Sequence, residues 1–269
     1  MGSITVGVDI GSTTAKAVIL NQQGQMWTAI IPSGMSPPLA GKEVFKIALD
    51  KSQHTAEDVA FIIATGYGRV SAEFANKTVT EISCHGRGAH FLNPATRTII
   101  DIGGQDSKAI SLDEHGKVID FMINDKCASG TGRFLETAAQ LVLRVRLEDL
   151  GDLSARATDA PNISSACTVF AQTEMVSLLA TGVSIENLVA GLHRAIASKV
   201  SSMVKRIGIR PTVMMTGGVA KNSGVITAFR KELNIDVVVP ANLDPQLVGA
   251  LGASLIAQEM MKNGGTRSG

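Results

Sequence analysis

The N-terminal part of the chain alternates between apolar runs and short polar turns. Apolar runs at 4–10, 15–20 and 26–31 have the length and the β-branched content typical of strands. The tetrapeptide 21–24 (Asn-Gln-Gln-Gly) separates the second run from the third, and such residues favour a hairpin turn. The pattern therefore predicts that the chain begins with antiparallel strands and not with a strand–loop–helix unit.

The same strand–turn–strand text occurs twice. The stretch DIGSTTAKAVILNQQG begins at Asp9, and the stretch DIGGQDSKAISLDEHG begins at Asp101. In one common register the identical residues are Asp9/Asp101, Ile10/Ile102, Gly11/Gly103, Lys16/Lys108, Ala17/Ala109, Leu20/Leu112 and Gly24/Gly116. The simplest interpretation is a duplicated unit, one copy in each of two lobes, rather than a solenoid of many copies.

Helical periodicity follows the strands. Ser184 can cap a long helix that ends at Gly208, because apolar residues recur between them at helical spacing. Another helix is predicted over 168–180, and a last one from about 248 to 260.

A further helix is predicted to start after Thr131 and Gly132, whereas the polar stretch 147–165 is expected to be an irregular connection. The buried face of this helix is predicted to consist of Phe134, Leu135, Ala138, Leu141 and Val142. Strands and helices together indicate an α/β protein.

Composition excludes several classes of function. The 269 residues are 45% hydrophobic and 18% charged, enough for one large domain or two smaller lobes. A net charge of +1 and an aromatic content of 4% argue against nucleic acid as a partner. No apolar run approaches the ~18 residues of a membrane span, and the first residues do not have the pattern of a signal peptide. We therefore expect a cytoplasmic protein without a membrane partner.

The two DIG turns have the chemistry of phosphate-binding loops. Each places a carboxylate, Asp9 or Asp101, at the end of a strand and a glycine in the following turn. Glycine lets the backbone approach a phosphate, and neighbouring N–H, hydroxyl and ammonium groups can bind it. Mg²⁺ between the two carboxylates would relieve their repulsion, and Asp101 could polarise an attacking water. The candidate ligands are Gly11, Ser12, Thr13, Thr14 and Lys16 in the first turn, and Gly103, Gly104 and Gln105 in the second.

A third glycine element follows the apolar run at 213–216. Gly217 and Gly218 leave room for an adenine ring or a ribose against the backbone, although two glycines after a strand are common. The similar stretch 64–69 (ATGYGR) is interpreted as a structural crossing point.

The order and spacing of these elements resemble the actin/Hsp70/sugar-kinase superfamily. The resemblance implies a two-lobed, ribonuclease-H-like fold with duplicated β-sheet cores and ATP in a cleft between the lobes. Lobe I would comprise residues 1–95 and 245–269, and lobe II residues 96–244. The segment 216–222 looks like the adenosine motif, with Gly217, Gly218, Val219 and Asn222 as its contacts.

The chain has three cysteines, an odd number that does not indicate a disulfide framework. Cys127 and Cys167 each precede a predicted helix, where the helix dipole favours a thiolate. Two thiolates are too few for a [4Fe–4S] cluster, but a two-fold homodimer would supply four. On the residues alone, a cysteine before a helix is more often a small buried residue than a metal ligand. Cys84, beside His85 and His90, matches no metal motif, and we assign it no ligand role.

Longer motifs indicate one particular family within this superfamily. NDKCASGTGRFLE, SSACTVFAQTE, ATGYGR and EISCHGRGAHF resemble the activator components of 2-hydroxyacyl-CoA dehydratases and the related benzoyl-CoA reductase ATPase subunits. The resemblance implies ATP and Mg²⁺ in each subunit, and one [4Fe–4S] cluster per homodimer held by Cys127 and Cys167. It also implies a ferredoxin or flavodoxin as the upstream donor and an iron–sulfur dehydratase or reductase as the acceptor. The sequence departs from the family at Gln172, where Glu is common, and at Ser129, where Ala is usual.

Three other functions stay open from the sequence. The partner could be a reductase of the double-cubane or benzoyl-CoA type rather than a dehydratase. A small-molecule kinase of the same superfamily would need an aspartate base in the first lobe, and no convincing candidate is found. A nucleotide sensor without iron would leave the two cysteines before helices unexplained.

Overall fold

The computed structural model describes residues 3–264 and divides them into two compact units. The first unit comprises residues 3–96, 112–118 and 241–264, and the second residues 97–111 and 119–240. Residues 1–2 and 265–269, which belong to the predicted lobe I, lie outside the described residues.

The first unit contains a five-stranded sheet in the order β3-β2-β1-β4-β5. Strands β1, β2 and β3 are antiparallel neighbours, whereas β4 and β5 extend the sheet in parallel. Its strands are β1 (Ile4–Ile10), β2 (Thr14–Leu20), β3 (Met26–Pro32), β4 (Val59–Thr65) and β5 (Lys77–Thr78), and its helices are α1 (Pro37–Ser52), α2 (Glu81–Leu92) and α8 (Val248–Gly264).

The second unit repeats this plan in the order β10-β9-β6-β7-β8. Its strands are β6 (Thr98–Ile102), β7 (Ser107–Leu112), β8 (Val118–Asn124), β9 (Val213–Thr216) and β10 (Val237–Val238). Its helices are α3 (Gly132–Thr137), α4 (Leu150–Ala155), α5 (Thr168–Ala180), α6 (Ile185–Arg206) and α7 (Ser223–Leu233).

The two sheets have the same topology. In each, a strand with a DIG end pairs antiparallel with the following strand and parallel with a later one. The cross-strand pair Asp9–Lys16 in the first sheet corresponds to Asp101–Lys108 in the second. The α/β fold with duplicated β-sheet cores is thus confirmed.

Each unit has its own hydrophobic core. In the first unit, apolar side chains of β1, β2 and β4 pack against α1, and those on the opposite face pack against α8. In the second unit, residues of β6 and β9 pack with α3, α6 and α7 around the buried Phe134 and Phe229. The central strands β1 and β6 are buried along their whole lengths, as expected for strands covered on both faces.

Several local predictions are confirmed. Asn21 closes the hairpin turn, because its Oδ1 accepts hydrogen bonds from the N–H groups of Gln23 (3.0 Å) and Gln25 (2.8 Å). Ser184 caps α6, and Gly208 follows its end with a φ of 78°. Helix α5 has the predicted bounds. Within residues 3–264, no helix combines the length and the apolarity that crossing a bilayer requires.

Two predictions were wrong. The stretch 147–165 is not wholly irregular, because it contains a 3₁₀ turn (Leu147–Asp149) and α4. Leu141, predicted to be buried, is 70% exposed. The reason is that Ala138–Leu143 continues α3 as a π-helix, whose wider turn rotates later residues away from the face expected at helical spacing.

Candidate functional site

The carboxylate of the first DIG turn, at the end of β1, forms an ion pair with a lysine. Asp9 is 6% exposed, and its Oδ2 lies 3.2 Å from Nζ of Lys16 on the neighbouring strand. The N–H of Gly11 donates to the carbonyl of Thr14 (3.1 Å), and the hydroxyl of Ser33 donates to the carbonyl of Gly11 (2.6 Å). Ser12 and Thr13, the turn residues between β1 and β2, lie within this hydrogen-bonded loop.

The second DIG turn has one more carboxylate. Nζ of Lys108 lies 3.2 Å from Oδ2 of Asp101 and 2.6 Å from Oδ2 of Asp106. Gly103 closes the turn, because its N–H donates to the carbonyl of Asp106 (3.0 Å). Gln105 is exposed. The sequence interpretation missed Asp106, although its position two residues before Lys108 places both on the same side of the strand.

Neither lysine of the repeat is a solvated surface charge. The side chain of Lys108 is 3% exposed and that of Lys16 is 13% exposed. Each therefore neutralises the aspartate of its own turn, and a nucleotide phosphate would meet a paired carboxylate and lysine instead of a bare negative charge.

A Thr-Gly pair follows the parallel strand in both sheets. Thr65 is aligned with Asp9, and Thr216 is aligned with Asp101. The next residues, Gly66 and Gly217, have φ angles of 83° and 82°, which glycine adopts readily. A side chain at either glycine would collide with the aspartate of its turn, at 2.3 and 2.9 Å.

These Thr-Gly turns are structural counterparts, and a 3₁₀ helix follows each of them. The sequence interpretation treated 64–69 as a crossing point only and missed this correspondence. In the second unit the hydroxyl of Thr216 also donates to Oδ1 of Asp101 (2.8 Å). The adenosine-motif candidate is thereby joined directly to the second phosphate turn.

The segment 217–222 is a tight turn before α7. Val219 is buried within it, and Asn222 caps α7 by accepting hydrogen bonds from the N–H groups of Gly224 (3.0 Å) and Val225 (3.2 Å). The Asn222 amide lies 3.2 Å from Nε2 of His193, a buried residue of α6. His193 was not among the predicted site residues, because a lone histidine on an apolar helix face carries no motif.

Two of the cysteines lie on neighbouring loops, and both are half-buried. Cys167 is the N-cap residue of α5, as predicted. Cys127 is not at a helix N-terminus as we expected, because α3 begins only at Gly132, with Thr131 as its N-cap. The intervening residues form a loop, so Cys127 is not the capping residue of α3.

Hydrogen bonds connect the two cysteine loops. Cys127 Sγ lies 4.0 Å from the carbonyl of Ala166, which precedes Cys167. The Ser129 hydroxyl donates to the carbonyl of Ser165. Asn124, the last residue of β8, donates from its amide to the carbonyls of Cys127 and Ser129, both at 2.9 Å. Ser129, one of the two departures from the family pattern, thus bridges the loops.

The start of α3, which follows the Cys127 loop, contacts the second DIG turn, the candidate phosphate turn. The N–H groups of Gly132 and Arg133, the first two residues of α3, donate to the carbonyls of Gly103 (2.9 Å) and Gly104 (2.8 Å). The first N–H groups of a helix have no partner within the helix, so the phosphate turn provides their acceptors. A shift of the turn would therefore move the start of α3.

Cys84 differs from the other two cysteines. It is fully buried, and burial raises the pKa of its thiol to about 12. Such a thiol stays protonated near neutral pH and is a poor metal ligand. Within the part of the chain that the structure describes, no three His, Cys, Asp or Glu side chains cluster as a metal site would require.

Comparison with known proteins identifies the family. A model of the BadF/BadG/BcrA/BcrD ATPase family matches residues 6–257. The chain belongs to this family. The 2-hydroxyisocaproyl-CoA dehydratase activator of Clostridioides difficile is 45% identical over 96% of both chains. A benzoyl-CoA reductase subunit of Thauera aromatica is 32% identical, over 94% of this chain and 92% of its own.

A solved structure agrees with this assignment. The activator of the 2-hydroxyisocaproyl-CoA dehydratase from Clostridium difficile with bound ADPNP has a TM-score of 0.92 and 43% identity, covering 99% of this chain and 98% of that one. The resemblance inferred from the motifs, the fold class and the assignment as an ATPase are therefore confirmed.

Proposed function

We propose that this chain is an ATP-driven one-electron donor that works as a homodimer and reduces a partner iron–sulfur enzyme. The pair of hydrogen bonds between the second phosphate turn and the start of α3 carries this proposal. It links residues with the chemistry of nucleotide binding to a loop with the chemistry of iron binding. A sugar kinase or an iron-free nucleotide sensor would leave the two cysteines beside that link unexplained.

The two half-buried cysteines fit a cluster shared between subunits. Each chain offers two thiols on adjacent loops, and Cys84 is too deeply buried to serve as a third. A two-fold axis next to the loops would bring four thiols together, the number that a [4Fe–4S] cluster takes. Cys127 and Cys167 would then be its ligands, and a bound cluster would supply one-electron chemistry at low potential.

The surface beside Cys167 fits a protein contact. Helix α5 packs within the second unit through Ala171 and Met175, but three of its apolar side chains are exposed: Val169 (63%), Phe170 (69%) and Val176 (55%). Contiguous exposed apolar groups next to a candidate ligand favour burial against another protein surface. We assign this surface to the second copy of the chain.

ATP would bind through the glycine turns. The N–H and hydroxyl groups of 11–14 and the backbone of 103–104 would hold the phosphates, and 217–222 would hold the adenosine. Asp9 and Asp101 would bind Mg²⁺ through its waters, with Lys16 and Lys108 moderating their charge. Asp101 or Gln105 would orient the attacking water.

The coupling follows from the hydrogen bonds of the second turn. When the turn closes on the γ-phosphate, its carbonyls at 103 and 104 move with it and pull the N–H groups at 132 and 133. That motion reaches the Cys127 loop and is passed on through Ser129 to the loop that precedes Cys167. Several kcal/mol from ATP correspond to a few hundred millivolts, since a tenfold shift in equilibrium equals about 59 mV for one electron.

The relatives indicate the class of partner. One is named as an activator of a dehydratase and another as a subunit of benzoyl-CoA reductase. The higher identity to the former favours a 2-hydroxyacyl-CoA dehydratase as the electron acceptor. A ferredoxin or flavodoxin would reload the donor.

Iron analysis tests the proposal first. Protein purified without oxygen should contain about four iron and four sulfide per dimer, the content of one [4Fe–4S] cluster. Cys127→Ser and Cys167→Ser should each lose the iron and keep MgATP affinity. Cys84→Ala is the matched control and should keep the iron.

Asp101→Asn provides the reciprocal test, because it should keep the iron and lose ATP hydrolysis. Anaerobic wild-type protein without iron would refute the electron-donor function and favour the nucleotide sensor. Iron retained in full by Cys127→Ser would refute the assignment of the ligands.

A further inference from the structure

A buried histidine of α6 contacts the last residue of the candidate adenosine motif. His193 lies in the middle of α6 and is 1% exposed. Its Nε2 lies 3.2 Å from the side-chain nitrogen of Asn222. Asn222 Oδ1 already accepts the N–H groups of Gly224 and Val225, so its NH₂ group must face the ring. An amide nitrogen only donates, and Nε2 is therefore the acceptor, with the ring proton on Nδ1.

The opposite side of the ring has no hydrogen-bond partner. Nδ1 is buried and makes no hydrogen bond to any of the residues that the structure describes. It faces Gly224, where a side-chain carbon would lie 2.4 Å from Nδ1 and 2.2 Å from the Ser154 hydroxyl. Burial lowers the pKa of His193 to about 3, so the ring is neutral and does not exchange protons near neutral pH.

An unpaired buried donor costs free energy that an apolar side chain of similar size would avoid. The compensating interaction of His193 is therefore on its Nε2 side. Without an acceptor there, the NH₂ group of the half-buried Asn222 side chain would lose its hydrogen bond to the protein. The side-chain amide could then flip, and its NH₂ group would face the N–H groups of Gly224 and Val225. The histidine thus keeps Asn222 in the one orientation that caps α7.

Asn222 joins two elements of the nucleotide site. It ends the 3₁₀ turn Gly218–Lys221, and it is the N-cap residue of α7. Its orientation therefore fixes both the end of the glycine turn and the first turn of the helix. We propose that His193 is a positioning residue for the adenosine end of the nucleotide, acting through Asn222. This inference rests on the proposed function, which places adenosine at 217–222.

Comparing the affinities for two ligands distinguishes a positioning role of His193 from a general effect on the fold. MgATP uses the phosphate turns and the adenosine turn, whereas Mg-tripolyphosphate uses the phosphate turns alone. His193→Leu removes the acceptor, and we expect about 5- to 30-fold weaker MgATP binding, from the loss of the hydrogen bond that orients Asn222. Tripolyphosphate affinity should stay within about twofold, since the bonds of the phosphate turns are unchanged.

Conservative variants provide the control. A glutamine at this position can place an acceptor near the location of Nε2, whereas an asparagine reaches only the location of Nδ1. His193→Gln should therefore bind MgATP nearly as the wild type does, and His193→Asn should resemble His193→Leu. The Gln and Asn pair gives the answer even where the Leu variant does not fold.

The outcomes are distinct. Equal losses for both ligands, or no difference between the Gln and Asn variants in MgATP affinity, would overturn the positioning role of His193. Wild-type protein that binds tripolyphosphate as tightly as MgATP would overturn the adenosine assignment, and the inference with it.

Discussion

Gly132→Pro removes one of the two hydrogen bonds proposed to connect nucleotide to cluster. The Gly132 N–H donates to the carbonyl of Gly103 at 2.9 Å. Gly132 is the first residue of α3, a position where proline is favoured because its missing N–H leaves no gap in the helix. Thr131 before it has φ −123° and ψ 167°, the extended conformation that a following proline requires. The substitution thus breaks the link without breaking the helix.

The matched control is Gly132→Ala. Its new side-chain carbon would lie 3.0 Å from the Gly103 carbonyl oxygen, a tight contact that proline would also make. Alanine keeps the N–H donor, however. In proline the ring carbon Cδ takes the place of the N–H hydrogen and displaces the Gly103 carbonyl, so the difference between the two variants reports the broken contact and not the added Cβ.

A hydrogen bond between neutral backbone groups contributes about 1 kcal/mol. The Arg133 N–H, which donates to the carbonyl of Gly104 at 2.8 Å, is present in both variants. A loss of about 1 kcal/mol in the coupling corresponds to a factor of about five in an equilibrium constant. The effect of nucleotide on the cluster loop should fall by about that factor in Gly132→Pro.

The assay is the rate at which a chelator removes iron from anaerobic protein, without nucleotide and with a non-hydrolysable MgATP analogue. The ratio of the two rates measures how far nucleotide changes the exposure of the cysteine loops. Iron content and MgATP affinity should be the same in the Pro and Ala variants. If Gly132→Pro then keeps the full ratio of the Ala variant, the proposed link plays no part in coupling.

Three further predictions follow from particular contacts. Ser129→Ala loses the bond between the cysteine loops, so the free energy of unfolding should fall by about 1 kcal/mol and chelators should remove iron faster; an unchanged rate would contradict the bridge. Lys108→Met leaves Asp101 and Asp106 without their shared cation, so the free energy of unfolding measured by chemical denaturation should fall by about 3–5 kcal/mol. Lys16→Met removes only one ion pair and should cost less. Equal losses in the two variants would contradict this. Between pH 7 and pH 5, His193 takes up a proton in the unfolded chain but not in the folded chain, where its pKa is about 3. The free energy of unfolding of the wild type should therefore fall by about 2 kcal/mol more than that of His193→Gln over this range. Parallel curves of unfolding free energy against pH would refute this.

The sequence predicted the elements that depend on local pattern. The repeated DIG text implied duplicated strand–turn–strand units because equal local sequence favours equal local structure. Helix α5 was bounded correctly since Cys167 and Gly182 flank a continuous helical segment. The pairing of Lys108 with Asp101 was not predicted, because it depends on the register in which β6 and β7 pair.

Features that depend on distant residues could not be predicted in this way. His193 and Asn222 are 29 positions apart, and only the packing of α6 against α7 brings their side chains together. The exposure of Leu141 depends on a π-helix, and the spacing of hydrophobic residues does not predict such a helix. The Thr-Gly turn at 65–66 became recognisable as a counterpart of 216–217 only when both were seen beside an aspartate of the repeat.

Helix α6 offers a second connection between the proposed nucleotide site and the cysteines. Its 22 residues include His193, which contacts the adenosine turn. The same helix packs at Lys199 and Val200 against Gly130 of the Cys127 loop, where a side-chain carbon on the glycine would lie 3.1 Å from each of them. At Gly191 it approaches the segment that leads to Cys167, near Pro161 and Ile163. A continuous helix is stiff over this length, so a shift at one contact is passed to the others.

The two proposed connections can be tested together by combining one variant of each. Gly132→Pro interrupts the one from the phosphates, and His193→Leu interrupts the one from adenosine. If the two act independently, the double variant should lose nucleotide-dependent iron release by the product of the single effects, measured at saturating nucleotide. If both motions pass through the same displacement of the Cys127 loop, the double variant should lose no more than the stronger single variant. The chelator assay on the four proteins of this cycle distinguishes parallel routes from a single one, and a double variant with the full wild-type response would refute both.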